Sequence, residues 1–234
     1  MDEKIFEKVK EVRDKAFYDA TILVRQFKWN QRLDLRVRSL SKLIHILIGL
    51  HLACHTLIHL PQESSEYWSK LKLPLNGNEN IKGYIDSFEM FVKVGFCATL
   101  FSITESTLRA YLCHLDPQQY EKNLMRTEKI IRILLLKTLE RKYIYGLQWV
   151  DLLRNIRNTL HYNGVFTPQD GKPFSITYRE KKYEFIPGES INFVDWYLLL
   201  NLADDLRGLF FHISTDGKIR TQEFISDPSQ IQAT

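Results

Sequence analysis

The sequence contains few cysteines, and none of them belongs to a paired motif. Cys54, Cys97 and Cys113 are the only three in 234 residues. Zinc folds and dithiol redox sites need cysteines at short, regular spacings, which these residues lack. Each one lies in apolar sequence of helical character, where a free thiol packs as a small hydrophobic group. The sequence therefore disfavours zinc folds and predicts three reduced core residues.

The glycine-containing motifs of several enzyme classes are also missing. The chain has no phosphate-binding P-loop, no dinucleotide glycine fingerprint and no serine nucleophile elbow. Their absence disfavours nucleoside triphosphatases, dehydrogenases and serine hydrolases, and we expect no cofactor.

No secretory leader is recognisable, because residues 1–4 are not followed by an apolar run, and we expect a cytoplasmic protein. One strongly apolar stretch, residues 44–60, contains four histidines and stops at Pro61. At about 17 residues this stretch is marginal for a bilayer, and its imidazoles make spanning costly. We therefore expect a buried helix and no membrane contact.

What the chain does contain is enough apolar material for a folded core. Hydrophobic residues make up 44% of the sequence and aromatic residues 12%, which is typical of a globular protein. The net charge of +4 permits contact with RNA without requiring it, because charge binds a polyanion only where it is clustered.

Apolar residues recur at helical spacing through most of the chain. They predict helices over residues 3–28, 32–60, 81–115, 118–141, 146–162 and 190–212, with a bend near Asn30. The 62–80 region reads as a loop with a short helical turn, and alternation over about 172–187 predicts a β-hairpin. We predict an all-α helical bundle with a small β-hairpin inserted before the last helix. It forms a single domain, with N-terminal helices over 3–60, a core over 81–213 and a polar tail over 216–234.

Arginine, asparagine and histidine residues cluster near the end of the 146–162 helix. His161 follows Arg154 by seven positions, about two helical turns, so both side chains project from the same face. Three further residues extend the cluster, namely Arg157 and Asn158 on that face and Asn155 beside it.

These residue types suit phosphate chemistry. A guanidinium offers forked donors that match phosphate oxygens, and an imidazole can accept or give a proton near neutral pH. In metal-free RNA cleavage a base takes the proton of the ribose 2′-hydroxyl, and cations stabilise the charge on the phosphoryl oxygens. Spacing alone favours another interpretation, in which the cluster forms structural hydrogen bonds against a neighbouring helix and has no catalytic role.

The residues Arg154-Asn155 followed by His161 resemble the signature of the HEPN superfamily. In that signature an arginine with a polar neighbour precedes a histidine by four to six intervening residues, and here six intervene. An earlier segment, Glu105-Ser106 followed by Arg109, is similar to a Glu-Ser-x-x-Arg helix of some HEPN proteins. The resemblance covers about residues 81–213.

The resemblance implies a homodimeric helical bundle with metal-independent endoribonuclease activity. Arg154 and His161 would be the catalytic pair, and the supporting residues that hold or orient the RNA backbone would be Asn155, Arg157 and Asn158. Many relatives are toxins or antiviral effectors, which implies an antitoxin or effector protein as a further partner. Some members are inactive scaffolds, so the alternative is a non-catalytic module that binds a nucleotide, RNA or a protein.

One departure from the superfamily concerns tyrosine. The branch that is paired with a nucleotidyltransferase antitoxin carries a tyrosine two residues after the histidine, where this chain has Asn163. Tyr162 comes one position early and would point to another face. We therefore expect no regulation by tyrosine modification.

Glu105 lies late in an otherwise apolar helix, where a carboxylate needs a cationic partner. One hypothesis pairs it with Arg154 or Arg157, so that it orients the site. The other pairs it locally with Arg109, four residues later.

His51, His55 and His59 recur every four residues and form a stripe on one helical face. That spacing lets two histidines share a metal ion. The run contains no HExxH glutamate and no other carboxylate, and leucines and isoleucines surround the stripe. The sequence favours burial against other helices or a dimer partner, and a metal site is the weaker alternative.

Overall fold

The structure is a computed structural model that describes residues 2–29, 33–61, 63, 66–73 and 78–227. Helices predominate in these ranges, and one antiparallel hairpin precedes the last long helix. The helices are α1 (Glu3–Phe27), α2 (Leu35–His59), α3 (Glu66–Lys70), α4 (Asn78–Leu115), α5 (Pro117–Lys122), α6 (Thr127–Ile133), α7 (Ile144–His161), α8 (Trp196–Ser214) and α9 (Gly217–Arg220). A π-helical segment (Leu134–Thr138) follows α6, and the strands are β1 (Phe174–Tyr178) and β2 (Lys181–Phe185). The predicted all-α bundle with a small hairpin is confirmed.

Local sequence explains several helix boundaries. Asp2 and Asp195 cap α1 and α8, because each carboxylate accepts a hydrogen bond from the backbone N–H three residues later. α4 stops before Pro117, which lacks the N–H that a continuing helix needs, and Asp116 caps the short α5 that begins there.

One apolar cluster joins the long helices of both halves of the chain. Its fully buried members include Val9, Leu43, Leu100, Leu153 and Leu206, which come from α1, α2, α4, α7 and α8 respectively. α7, which carries the predicted site, packs against α4 and against α8. The core therefore fixes the helix on which the site lies.

The single helix predicted over residues 118–141 is wrong, because α5, α6 and the π-helical segment divide that stretch. The side-chain amide of Asn123 donates to the carbonyl of Gln119 at 2.8 Å. The backbone N–H of Arg126 donates to the carbonyl of Asn123 at 2.7 Å and closes a turn. Asparagine favours such turns because its side chain competes for backbone hydrogen bonds.

The polar tail predicted from residue 216 is wrong as far as residue 227. That segment forms α9 and buries Ile219 and Ile225 completely. The Arg36 guanidinium donates to the carbonyls of Ile219 and Gln222 at 3.1 and 2.8 Å, and so ties the segment to the start of α2. The sequence pattern missed this contact because its partners lie about 180 positions apart.

Within the predicted 62–80 loop, α3 confirms the short helical turn. The rest of that loop is described only in part. The bend predicted near Asn30 and residues 228–234 of the predicted tail lie outside the described residues.

Two helices, Leu35–His59 and the Asn80–Leu115 part of α4, are long and apolar enough to cross a membrane by length and composition alone. The first of these helices, α2, is longer than the strongly apolar stretch of residues 44–60 with which it overlaps. α2 packs against α1 and α4 and buries Leu40, Leu43 and Leu47 in the core. The absence of membrane contact stays a prediction.

Candidate functional site

α7 presents different residues to the core and to the cleft. The inward face is apolar, and its fully buried residues include Leu152, Leu153 and Ile156. Gly164 takes a positive φ of 84° just after the helix, and its N–H donates to the carbonyl of Thr159 at 2.9 Å. Asn163, directly before it, also has a positive φ of 56°, and these two left-handed residues end the helix and turn the chain toward the hairpin.

Gly146 determines how closely α7 approaches α8. A Cβ at this position would lie 2.6 Å from Cδ1 of Leu209. We expect Gly146→Ala to lower the free energy of unfolding by about 1–3 kcal/mol through overpacking, although alanine is the better helix former. Urea denaturation measures this loss. The control is Gly208→Ala, whose Cβ would meet nothing within 4 Å, and equal stability of the two variants would contradict the close packing.

The last turns of α7 line an open cleft of about 770 Å³. The structure brings together in it all the clustered residues of the helix, namely Arg154, Asn155, Arg157, Asn158 and His161. α6 contributes Thr127 and Glu128, and the chain between α7 and β1 supplies the remaining wall.

Arg154 is held by two carboxylates. Its Nη1 donates to Oε2 of Glu128 at 3.0 Å, and its Nη2 lies 3.3 Å from Oδ1 of Asp151. Arg132 completes the network, since it lies 3.2 Å from Glu128 and 3.5 Å from Asp151. Two guanidiniums thus balance two carboxylates, and Arg154 contributes little net charge to the cleft.

The two carboxylates respond differently to this setting. Burial holds the pKa of Asp151 above its ordinary value, although Arg154 and Arg132 oppose the shift. Burial also raises the pKa of Glu128, but its hydrogen bonds and proximity to Arg154 and Arg132 outweigh burial and leave that pKa lowered. Glu128 is therefore a carboxylate anion at neutral pH.

Sequence reasoning missed both acidic residues. Asp151 precedes Arg154 by three positions, so helical spacing could have identified it. Glu128 lies on another helix, and nothing in the local sequence relates it to Arg154.

The supporting residues are engaged to different degrees. Arg157 donates from Nη1 to Oδ1 of Asn158 at 2.9 Å, and its guanidinium carbon lies 5.4 Å from the Phe101 ring centroid. This aromatic contact holds the arginine over α4 while it faces the cleft. Asn155 is buried, and its amide donates to the carbonyl of Asp151 at 2.8 Å. That bond gives Asn155 a structural role within α7.

His161 is exposed and lines the same cleft. Its imidazole makes no hydrogen bond within the described part of the chain, and its ring centroid lies 5.6 Å from that of Tyr162. An imidazole without a fixed partner is available for proton transfer. Because a helix rises about 1.5 Å per residue, the backbones of Arg154 and His161 lie about 10 Å apart along the axis, so the two residues act on one phosphate only if their side chains converge.

The hypothesis that Glu105 pairs with Arg154 or Arg157 is wrong. Oε1 of Glu105 accepts from Nε of Arg109 at 2.9 Å and from the Thr127 hydroxyl at 2.6 Å. The local alternative with Arg109 is therefore confirmed. Glu105 reaches the cleft only through Thr127, which lines it.

His51 packs against α1, whereas His55 and His59 are exposed, so the predicted burial of the whole stripe against other helices of the chain is wrong. Burial of the stripe against a dimer partner stays a prediction. Nδ1 of His51 lies 3.1 Å from Nη1 of Arg13, and the ring centroids of His55 and His59 are 4.3 Å apart. The described ranges contain no group of three or more histidine, cysteine or carboxylate side chains arranged to hold a metal ion. Burial and the Arg13 charge lower the pKa of His51. The guanidinium would also repel a bound cation, which argues against the metal alternative.

Comparison with family models, with curated proteins and with solved structures found no match. A fold class by itself does not assign a function. Function is therefore inferred from the residues of the cleft.

Proposed function

We propose that the protein is a metal-independent endoribonuclease that acts at the Arg154/His161 cleft. One observation supports this most, namely that guanidinium, amide and imidazole groups of α7 line a single open cleft. His161 is exposed there and has no hydrogen-bond partner in the described residues. Cationic donors and a free proton carrier are the groups that metal-free cleavage needs.

In the proposed reaction His161 takes the proton of a ribose 2′-hydroxyl. The resulting oxygen attacks the adjacent phosphorus, and the bond from phosphorus to the 5′-oxygen breaks. The products are a 2′,3′-cyclic phosphate and, once the leaving oxygen is protonated, a 5′-hydroxyl. Arg154 stabilises the charge on the phosphoryl oxygens, and Arg157 with Asn158 holds the neighbouring backbone.

This reaction moves two protons, and the cleft contains one histidine per chain. A symmetric homodimer that joins two α7 ends would supply a second His161 as the general acid. The rate per protomer should then rise with protein concentration in step with dimer formation, as measured by analytical ultracentrifugation. A rate per protomer that stays constant across a monomer-to-dimer transition would contradict the shared site.

The resemblance to the HEPN superfamily supports the same proposal. It adds a cytoplasmic toxin or antiviral role in which an antitoxin or effector protein controls the nuclease. Cleavage of cellular RNA on expression, together with growth arrest that His161→Ala relieves, would test that role.

A second candidate is a binding module that holds RNA, a nucleotide or a protein without cleaving it. The observation that favours it is the pairing of Arg154 with Glu128 and Asp151, which satisfies the guanidinium internally. A nuclease must release Arg154 from at least one carboxylate when phosphate arrives.

The Glu128 carboxylate competes with phosphate for Arg154. We expect Glu128→Gln to tighten RNA binding about two- to fivefold, because removing one exposed ion pair is worth a few tenths to 1 kcal/mol. Fluorescence anisotropy with a non-cleavable 2′-O-methyl oligonucleotide measures the change. Glu121→Gln makes the same charge change on α5, at an exposed residue outside the cleft, and is the control. Equal tightening by both variants would indicate a general charge effect and contradict the competition.

The enzyme and binding-module candidates are separated by incubating the parent protein with a mixed RNA pool in EDTA. The nuclease leaves fragments with 2′,3′-cyclic phosphate ends. A folded, dimeric parent that binds the pool and leaves it intact would favour the binding module.

A further inference from the structure

The cleft has two chemically different sides. α7 supplies the polar side described above. The segment after α7 and the first residue of β1 supply a more apolar side, lined by Pro168, Pro173 and Phe174 and backed by the buried Phe166. Tyr162 lies where the two sides meet, directly after His161.

The aromatic side is held in place by its own contacts. The N–H of Phe166 donates to the carbonyl of Glu189 at 2.9 Å, and the N–H of Gly188 donates to the carbonyl of Phe166 at 2.9 Å. The rings of Phe166 and Phe174 lie 5.3 and 5.6 Å from that of Phe185, which is fully buried. The wall is therefore formed before any ligand binds.

Tyr162 is 56% exposed although it adjoins this wall. Its ring makes an edge contact with the His161 imidazole, at a centroid distance of 5.6 Å. Lys172 and Asp170 line the same side, and Oδ1 of Asp170 accepts a hydrogen bond from the backbone N–H of Lys172 at 3.2 Å. An exposed aromatic ring and a lysine in one cleft are the groups that bind a base and its backbone phosphate.

We propose that the aromatic side of the cleft is a base-binding subsite for single-stranded RNA, in which Tyr162 stacks on a base next to the scissile phosphate. This inference rests on the proposed nuclease function. Bases in a duplex are already stacked and present only their edges, whereas an unpaired base offers its face to an aromatic side chain. The subsite thus selects unpaired RNA and places the ribose of the bound nucleotide close to His161.

The test compares two 2′-O-methyl oligonucleotides of equal length, one with bases and one abasic, by fluorescence anisotropy in EDTA. Both carry the same backbone charge, and neither can be cleaved through its 2′-oxygen. We expect the parent protein to bind the base-containing strand at least about tenfold more tightly, since stacking on one aromatic ring is worth that factor. Tyr162→Ala should lower the affinity for the base-containing strand about tenfold and leave the affinity for the abasic strand unchanged.

Two variants control the result. Tyr162→Phe keeps the ring and should bind both strands like the parent. Tyr145→Ala removes a tyrosine that is 72% exposed at the other end of α7, outside the cleft, and should change nothing. Thermal unfolding shows whether each variant is folded.

The outcomes separate this inference from the nuclease proposal. Equal affinity of the parent for both strands would overturn the base subsite and leave phosphate binding, and hence the nuclease proposal, intact. An equal loss for both strands in Tyr162→Ala would also overturn it, because stacking acts only on bases. A parent that binds neither strand would overturn the subsite and the proposed function together.

Discussion

His161→Ala is expected to lower the rate of RNA cleavage by about a hundredfold or more, since removal of a general acid or base costs that much. The imidazole is exposed and has no hydrogen-bond partner in the described part of the chain, so its removal leaves the helix and core unchanged. The loss should therefore appear in catalysis, while RNA binding falls far less. Single-turnover cleavage and anisotropy measure the two effects separately.

The matched control is His114→Ala. His114 is also exposed, but it lies at the end of α4, where its Nε2 is 3.4 Å from Oε1 of Gln222, outside the cleft. We expect this variant to cleave like the parent. A cleavage rate for His161→Ala within about twofold of the parent's rate would disprove the role of His161 in proton transfer.

Arg36→Met is expected to lower the free energy of unfolding by about 3–5 kcal/mol, because it removes the cation of a buried ion pair and leaves the anion buried without its partner. Arg36 is fully buried and binds both carboxylate oxygens of Asp34, at 2.8 and 2.5 Å. Its guanidinium carbon also lies 4.0 Å from the Trp29 ring centroid. The substitution leaves the Asp34 charge and several backbone carbonyls without their donor. Since small domains are stable by about 5–15 kcal/mol, the variant should unfold at a much lower urea concentration.

Two further variants make the Arg36 result specific. Arg25→Met changes an exposed arginine in the last turn of α1 and should shift stability by no more than about 0.5 kcal/mol. Adding Asp34→Leu to Arg36→Met should recover part of the loss, because the buried carboxylate is then removed as well. An Arg36→Met protein as stable as the parent would contradict the proposed anchoring of the C-terminal segment.

Local pattern predicted most of the helices and the hairpin, because apolar periodicity and proline positions act over a few residues. It failed where distant groups decide the outcome. The segment after residue 216 is polar in composition, yet Arg36 supplies donors for its carbonyls and the core accepts Ile219 and Ile225. The break at Asn123 depends on one side chain that bonds within a turn, which periodicity does not register.

The candidate site follows the same rule, because its local features were predictable from the sequence and its long-range contacts were not. Helical spacing placed Arg154 and His161 on one face, and the structure brings both to one cleft. The ion pair with Glu128 and the wall around Phe174 join separate parts of the chain, so no local pattern shows them. For Glu105 the local pattern was sufficient, because the structure confirms its pairing with Arg109, four residues later in the same helix.

The proposed reaction depends on the 2′-hydroxyl, and one measurement tests it most directly. A single-stranded RNA that the parent protein cleaves is resynthesised with a 2′-deoxyribose at the cleaved position only, and both strands are incubated in EDTA. The account predicts that the all-ribose strand yields a 2′,3′-cyclic phosphate and that the substituted strand stays intact at that position. Cleavage at the deoxyribose, or cleavage of the all-ribose strand without a cyclic phosphate, would contradict it.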